Sequence, residues 1–269
     1  MNFLLICSKT DLAAVNFFEN LTTTQFGFTE ITDNLWFLEK ENKIYLTLTE
    51  KTHLYMDDKD ILNYEKEAET KFDQIIFLSK HSTLSEIKPR TISVHSVGNW
   101  GKAELGGVDE TVVKTDPILI RSLLLDFFTQ KPNALKYEVK QEATHHGPYL
   151  DKPTIFVEIG SDENAWKDKI VANFVVDSLI EIISNYNRTK IRIENNWIEA
   201  VGVGGSHYCT KFNRSTFDKD KKYCFGHVIP DYALKEIQDK TKLNKLLTDA
   251  KEKSNSSRIL DETLNPVIF

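Results

Sequence analysis

The sequence predicts an α/β fold: a mixed, largely parallel central sheet with helices on both faces, formed by one domain over residues 1–269. Three observations predict it. Short apolar runs of strand length alternate with stretches whose apolar residues recur at helical spacing. Several of those runs are apolar almost throughout, the pattern of strands covered on both faces. Finally, 269 residues with 41% hydrophobic and 28% charged content suffice for one large core.

The elements follow in order. NFLLICS is a buried strand, and DLAAVNFFENL after it is a helix capped by Thr10 or Asp11. IYLTLTE (44–50), DQIIFLS (73–79) and TISVHS (91–96) are further strands. DPILIRSLLLDFFT (116–129) is a helix with Pro117 in its first position. LKYEVKQEAT alternates as a strand, and PTIFVEIGS is a more continuously apolar one. ENAWKDKIVANFVVDSLIEII, capped by Ser161 or Asp162, is expected to be the longest helix, burying Trp166, Ile170 and Phe174. WIEAVGVGG (197–205) is a strand ending in Gly202, Gly204 and Gly205; KFNRSTFDKDKK (211–222) is a basic loop; YCFGHVI is a strand. DYALKEI and TKLNKLLTDA are helices, and the last dozen residues are expected to form an extended tail.

Composition narrows the function. No apolar run is long enough to span a bilayer, and residues 1–7 lack a basic start and a small-residue cleavage site, so neither a membrane segment nor a signal peptide is expected. A cytoplasmic monomer is the expectation. Cys7, Cys209 and Cys224 are an odd number without C-x-x-C spacing, which argues against a disulfide framework and for unpaired thiols. The net charge of −6 opposes a surface coated for non-specific nucleic-acid binding but leaves room for a local patch. Lys102, Lys140, Lys211 and Arg214 are the phosphate-binding candidates.

In open α/β sheets ligands gather at the carboxyl ends of strands. His81, His95, His145, His146 and His207 all follow or end expected strands there. Strand alternation puts Glu142 and His146 on one face and His145 on the other, unless Gly147-Pro148 turns the chain. Glu158 interrupts an apolar strand, so it must meet a partner: an imidazole to orient, a metal, or a lysine. VGVGGSHY allows close backbone approach to a phosphate, ribose or oxyanion, with Ser206 and His207 reaching onward. The absence of a G-x-S-x-G elbow favours water as nucleophile.

Taken together, SKH (79–81), VHSVGNWG (94–101), AELGG (103–107), EATHHGP (142–148), FVEIGS (156–161), VGGSHY (203–208) and FGHVIPDYAL (225–234) resemble the archaeal and plant type of D-aminoacyl-tRNA deacylase. The resemblance implies hydrolysis of the ester joining a D-amino acid to tRNA. It also implies a fold similar to phosphorylases and peptidyl-tRNA hydrolases, and zinc dependence. The family's turn reads G-G-G-H-Y-A-P, whereas here Ser206 replaces a glycine and Cys209-Thr210 replace Ala-Pro. On this reading His146 or His207, oriented by Glu158, activates water directly or through zinc, with His145, His146, His207 and Glu158 as the metal-ligand set. His95, Asn99, Gly204 and Gly205 would bind the terminal adenosine and the oxyanion. A related peptidyl-tRNA hydrolase or nucleoside phosphorylase, and an RNA-binding module with structural histidines, are the competing expectations.

Overall fold

The computed structural model describes residues 1–23, 25–83 and 85–267. In chain order the elements are β1 (Asn2–Ser8), α1 (Leu12–Leu21), β2 (Thr29–Thr32), β3 (Leu35–Glu39), β4 (Lys43–Thr49), α2 (Asp58–Glu67), β5 (Gln74–Ser82), β6 (Thr91–Ser96), β7 (Gly98–Asn99), β8 (Thr111–Val112) and α3 (Pro117–Gln130). There follow β9 (Glu138–Gln141), β10 (Thr154–Ser161), α4 (Glu163–Trp166), α5 (Lys169–Ser184), α6 (Arg188–Asn195), β11 (Ile198–Val203), α7 (Thr210–Phe217), β12 (Tyr223–Ile229), α8 (Asp231–Glu236), α9 (Lys240–Lys253) and β13 (Arg258–Asp261).

The expected mixed, largely parallel sheet is present, with eight strands in the order β2-β3-β4-β1-β5-β10-β6-β9. β1 pairs parallel with β4 and β5, while β2, β3 and β4 form an antiparallel meander at one edge. The interior strands are buried throughout, as the apolar runs require: every residue of β10 is buried, and β1 is buried from Phe3 to Ser8. Two smaller sheets, β12-β11-β13 and β7-β8, complete the strand pairing among the described residues.

Within the 1–269 stretch expected to be one domain, the chain forms two compact units, each gathered from three segments. The first comprises Met1–Ser93, Asp126–Val139 and Phe156–Tyr186, and the second Val94–Leu125, Lys140–Ile155 and the chain from Asn187 onward. In the second unit one apolar cluster sets Trp100 and Val112 with Val201, Ile229 and Leu247, and another sets Phe212, Phe225 and Val228 around Ala200. These clusters anchor β11 and β12, whose ends lead to the His207 and Tyr232 segments of the site.

Several expectations change. The long helix divides: Asp162 caps α4, and Asp168 accepts from the N–H groups of Ile170 and Val171 and starts α5 afresh, leaving Ile170 exposed rather than buried. A second strong cap a few residues into a helix competes with its continuation, because the cap side chain satisfies the new first-turn donors. The basic segment from Lys211 begins within α7, whose Phe212, Asn213, Ser215 and Thr216 are buried at helical spacing. Part of the expected tail is β13, paired parallel with β11. The edge strands β2 and β3 and the polar helices α2 and α6 were not expected at all. Among the described residues no helix is long and apolar enough to cross a membrane.

Candidate active site

The site in the second unit begins where β9 ends at Gln141. Alternation stops there, and the next residues are held by other segments: Glu142 N–H donates to Val94 O at 3.2 Å, Ala143 N–H to His207 O at 2.8 Å, and Thr144 N–H to Val228 O at 3.0 Å. His146 then adopts a φ of 44°, the left-handed region, so the turn falls on the histidine itself. The two histidines therefore do not point to opposite faces. Their ring centroids are 4.3 Å apart, and the His95 ring lies 4.2 Å from His145 and 5.0 Å from His146. His207 joins them at 4.7 Å from His145.

Hydrogen bonds assign the ring nitrogens. Nδ1 of His95 faces Ser96 O at 3.0 Å, Nδ1 of His145 faces Ala143 O at 2.8 Å, and Nδ1 of His146 faces Gly147 O at 2.6 Å. A carbonyl only accepts, so each Nδ1 carries hydrogen, and each neutral ring presents its lone pair at Nε2. Burial, and then the neighbouring imidazoles of His95, His146 and His207, hold the His145 pKa well below its ordinary value against the opposing pull of Glu142. One nitrogen from each of His95, His145 and His146 lies within 4.8 Å of the others, the spacing of a three-histidine metal cradle.

His207 has the opposite tautomer. Its Nε2 lies 3.1 Å from Oε2 of Glu142, a carboxylate that is 1% exposed, so Nε2–H donates and the lone pair falls on Nδ1, which faces the Tyr232 hydroxyl at 3.4 Å. The same Glu142 oxygen is 3.8 Å from Nε2 of His145. Behind this layer Ser96 Oγ and Thr144 Oγ1 are 2.7 Å apart, and Thr144 Oγ1 is 3.2 Å from Nδ1 of His227. Burial pushes the His227 pKa down to about 3, leaving a neutral ring that supports rather than reacts.

Glu158, expected to orient His146 or His207, belongs to the first unit and meets Ser79 and His81 there. Ser79 Oγ donates to its Oε1 at 2.6 Å, and Nδ1 of His81 lies 3.6 Å from its Oε2. His81 itself is inside β5, two residues beyond the expected strand end. The carboxylate that meets His207 is Glu142. No strong signal marked it: it sits among polar residues in EVKQEATHH, whereas Glu158 stood out against an apolar strand. Tyr232, within FGHVIPDYAL, carries no such signal either.

The remaining expected residues divide. Asn99 Nδ2 donates to Gly106 O at 2.9 Å, so its amide secures the 101–110 loop against which Gly147 N–H also bonds, through Leu105 O at 3.0 Å. Gly204 N–H is given to Ile229 O, which removes it as an oxyanion donor. The glycines serve close approach instead: both have positive φ, and a Cβ on Gly205 would lie 2.7 Å from Oε1 of Glu262. Lys140 Nζ sits 4.4 Å from the Tyr208 ring centroid, and Lys211 pairs with Glu262 at 3.1 Å. Lys102 and Arg214 are exposed.

An α/β protein whose second unit gathers four histidines around a buried glutamate is the class that this geometry defines. Comparison with known proteins then specifies it. Residues 68–263 match the family model described as D-aminoacyl-tRNA deacylase. The chain is 35% identical over 235 residues to the D-aminoacyl-tRNA deacylase of Thermococcus kodakarensis, covering 85% of this chain and 80% of that one. It is 31% identical over 257 residues to that of Picrophilus torridus, covering 96% and 88%. A crystal structure described as that of the conserved protein of unknown function AF0625 superposes with a TM-score of 0.80 at 28% identity, covering 96% of this chain and 85% of that one. The chain belongs to the D-aminoacyl-tRNA deacylase family.

Proposed function

We infer that this protein hydrolyses the ester of D-aminoacyl-tRNA, releasing the D-amino acid and free tRNA. The observation that carries the chemical part of this reading is the Glu142–His207 contact of 3.1 Å beside the three-histidine cluster, in a chain of this family. An aminoacyl ester needs an activated water and stabilisation of a tetrahedral oxyanion. Glu142 fixes the His207 tautomer and stabilises the imidazolium that forms when Nδ1 takes a proton, which makes His207 the general base. His95, His145 and His146 have the donor set and tautomers for a zinc ion, and they are the residues that would hold it through Nε2. When bound, zinc would lower the pKa of a coordinated water and polarise the ester carbonyl. Lys102, Lys140, Lys211 and Arg214 are assigned to tRNA phosphates, with the Lys140–Tyr208 pair offering a cation beside a stacking ring. A cytoplasmic monomer suits this substrate.

The test is hydrolysis of matched D-tyrosyl-tRNA and L-tyrosyl-tRNA, each with chelator and with zinc restored. Release from the D ester alone is expected. Equal inertness toward both, with activity on peptidyl-tRNA or phosphate-dependent cleavage of nucleosides, would overturn the reading.

A further inference from the structure

Tyr232 is the first residue after Asp231 in α8, and backbone bonds stitch that helix start to the glycine turn. Gly204 N–H donates to Ile229 O at 2.9 Å, and Asp231 N–H donates to Gly205 O at 2.8 Å. Those bonds carry the Tyr232 hydroxyl to 3.4 Å from Nδ1 of His207. Since Nε2–H of His207 is given to Glu142, the phenol is the donor in this contact and the imidazole the acceptor. A hydrogen-bonded line thus runs from Glu142, 1% exposed, through His207 to Tyr232, 49% exposed.

The two ends of that line differ in kind. At 3.4 Å the phenol contact is long for a hydrogen bond, while Glu142 holds the other nitrogen at 3.1 Å. Glu142 is therefore the clamp on the ring, and the phenol is a weak second one. Its oxygen keeps acceptor capacity, and half of the residue faces solvent, where a substrate would arrive. Partial burial, then Cys209 and Glu142, push the Tyr232 pKa up to about 12, so it retains its proton at neutral pH.

We propose that Tyr232 is a catalytic proton-transfer residue, passing protons between His207 and the reacting oxygens of the ester, a role that rests on the deacylase reading above. Water held by the Tyr232 oxygen attacks the ester carbonyl carbon, and the carbonyl π pair moves onto oxygen. One water proton passes to the phenol oxygen while the phenolic proton passes to Nδ1 of His207. On collapse the C=O bond re-forms and the bond to the ribose oxygen breaks. His207 returns its proton to Tyr232, whose own proton goes to the departing ribose oxygen. Ester and water become amino acid and tRNA hydroxyl, with Glu142, His207 and Tyr232 restored and no co-reactant required.

The decisive experiment is single-turnover hydrolysis of D-tyrosyl-tRNA by the full chain carrying Tyr232→Phe, with a proton inventory in mixed light and heavy water. The expected result is a rate constant lowered by about 100-fold with substrate affinity within twofold, and a curved inventory in the parent protein that becomes linear in the variant. A rate within threefold of the parent, or a change in affinity alone, would overturn the relay and leave Tyr232 a binding group. If Tyr232→Phe fails to fold, 3-fluorotyrosine at 232, which changes only phenol acidity, must shift the rate; an unchanged rate overturns the proposal. Inactivity of the parent toward the D ester would instead sink the deacylase reading. The hydrogen-bonded line then stands or falls on the 15N signal of His207 Nδ1, expected unprotonated and displaced in Tyr232→Phe, with a protonated and unmoved Nδ1 overturning it.

Discussion

Glu142 has no freedom to compensate for an error, because its side chain is buried and its position is fixed by a backbone bond to Val94. Glu142→Gln keeps the shape but offers an amide N–H where His207 needs an acceptor. The imidazole would then protonate Nδ1 and lose its basic site, so the hydrolytic rate constant should fall on the order of 10³-fold with affinity little changed. Steady-state kinetics on D-tyrosyl-tRNA decide the matter; a loss below tenfold would remove Glu142 from the mechanism. His227 gives a second prediction, on stability. Its folded pKa of about 3 lies below the ordinary 6.5, so between these values the unfolded chain binds more protons. The protein is fully stable with respect to this group above pH 6.5 and loses stability as pH falls, by about 2 kcal/mol at pH 5. Thermal unfolding from pH 7 to pH 5 should show a shallower decline in His227→Gln than in the parent protein. Parallel declines would mean that other groups dominate.

Elements that bury a continuous apolar run, such as β1, β5, β6, β10 and α3, were legible in the sequence because burial on both faces leaves little ambiguity. The misses share a cause. β2 exposes Thr29, Glu30 and Ile31, and α6 buries none of its residues, so neither writes a periodic apolar signal. In α7 the signal was present, at Phe212, Ser215 and Thr216, but polar buried residues among lysines read as loop. The site shows the same division: the histidines were legible as a group, whereas the choice of Glu142 over Glu158 depends on which segments meet, a matter of the Ala143–His207 backbone bond. The glycine turn tests that dependence. Gly205→Ala would place a Cβ against Glu262 at a φ of 87°, costing about 1–2 kcal/mol of stability and displacing His207. Its thermal midpoint should drop and its activity fall together; full activity would show that the turn does not position the base. On α7, Lys211 and Arg214 stand one turn apart on an exposed face. Reversing both to glutamate should weaken tRNA binding and reduce the log–log salt slope by about 2, measured by titration at several ionic strengths. Unchanged binding would take this helix out of the tRNA surface.

On the proposed function, a chain of net charge −6 would confine its contacts with tRNA phosphates to a local surface, and neutral imidazoles would hold zinc. Both requirements bear on the stability of the entire protein, because a ligand that binds only the folded state adds to it by mass action. Zinc at 100 times its dissociation constant contributes about 2.7 kcal/mol, which for a protein of this size raises the unfolding midpoint by about 5 °C. Differential scanning calorimetry of metal-stripped protein, with and without zinc, should show that rise. His95→Ala should abolish it, since a cradle of three imidazoles reduced to two loses a ligand from the set that lies within 4.8 Å. His53→Ala, which removes a ring packed against Phe77 and Phe156 in the first unit, should preserve the increment whatever it does to the midpoint itself. An increment that survives in His95→Ala would place the metal outside the three-histidine cluster, and no increment in the parent protein would leave water activation to Glu142, His207 and Tyr232.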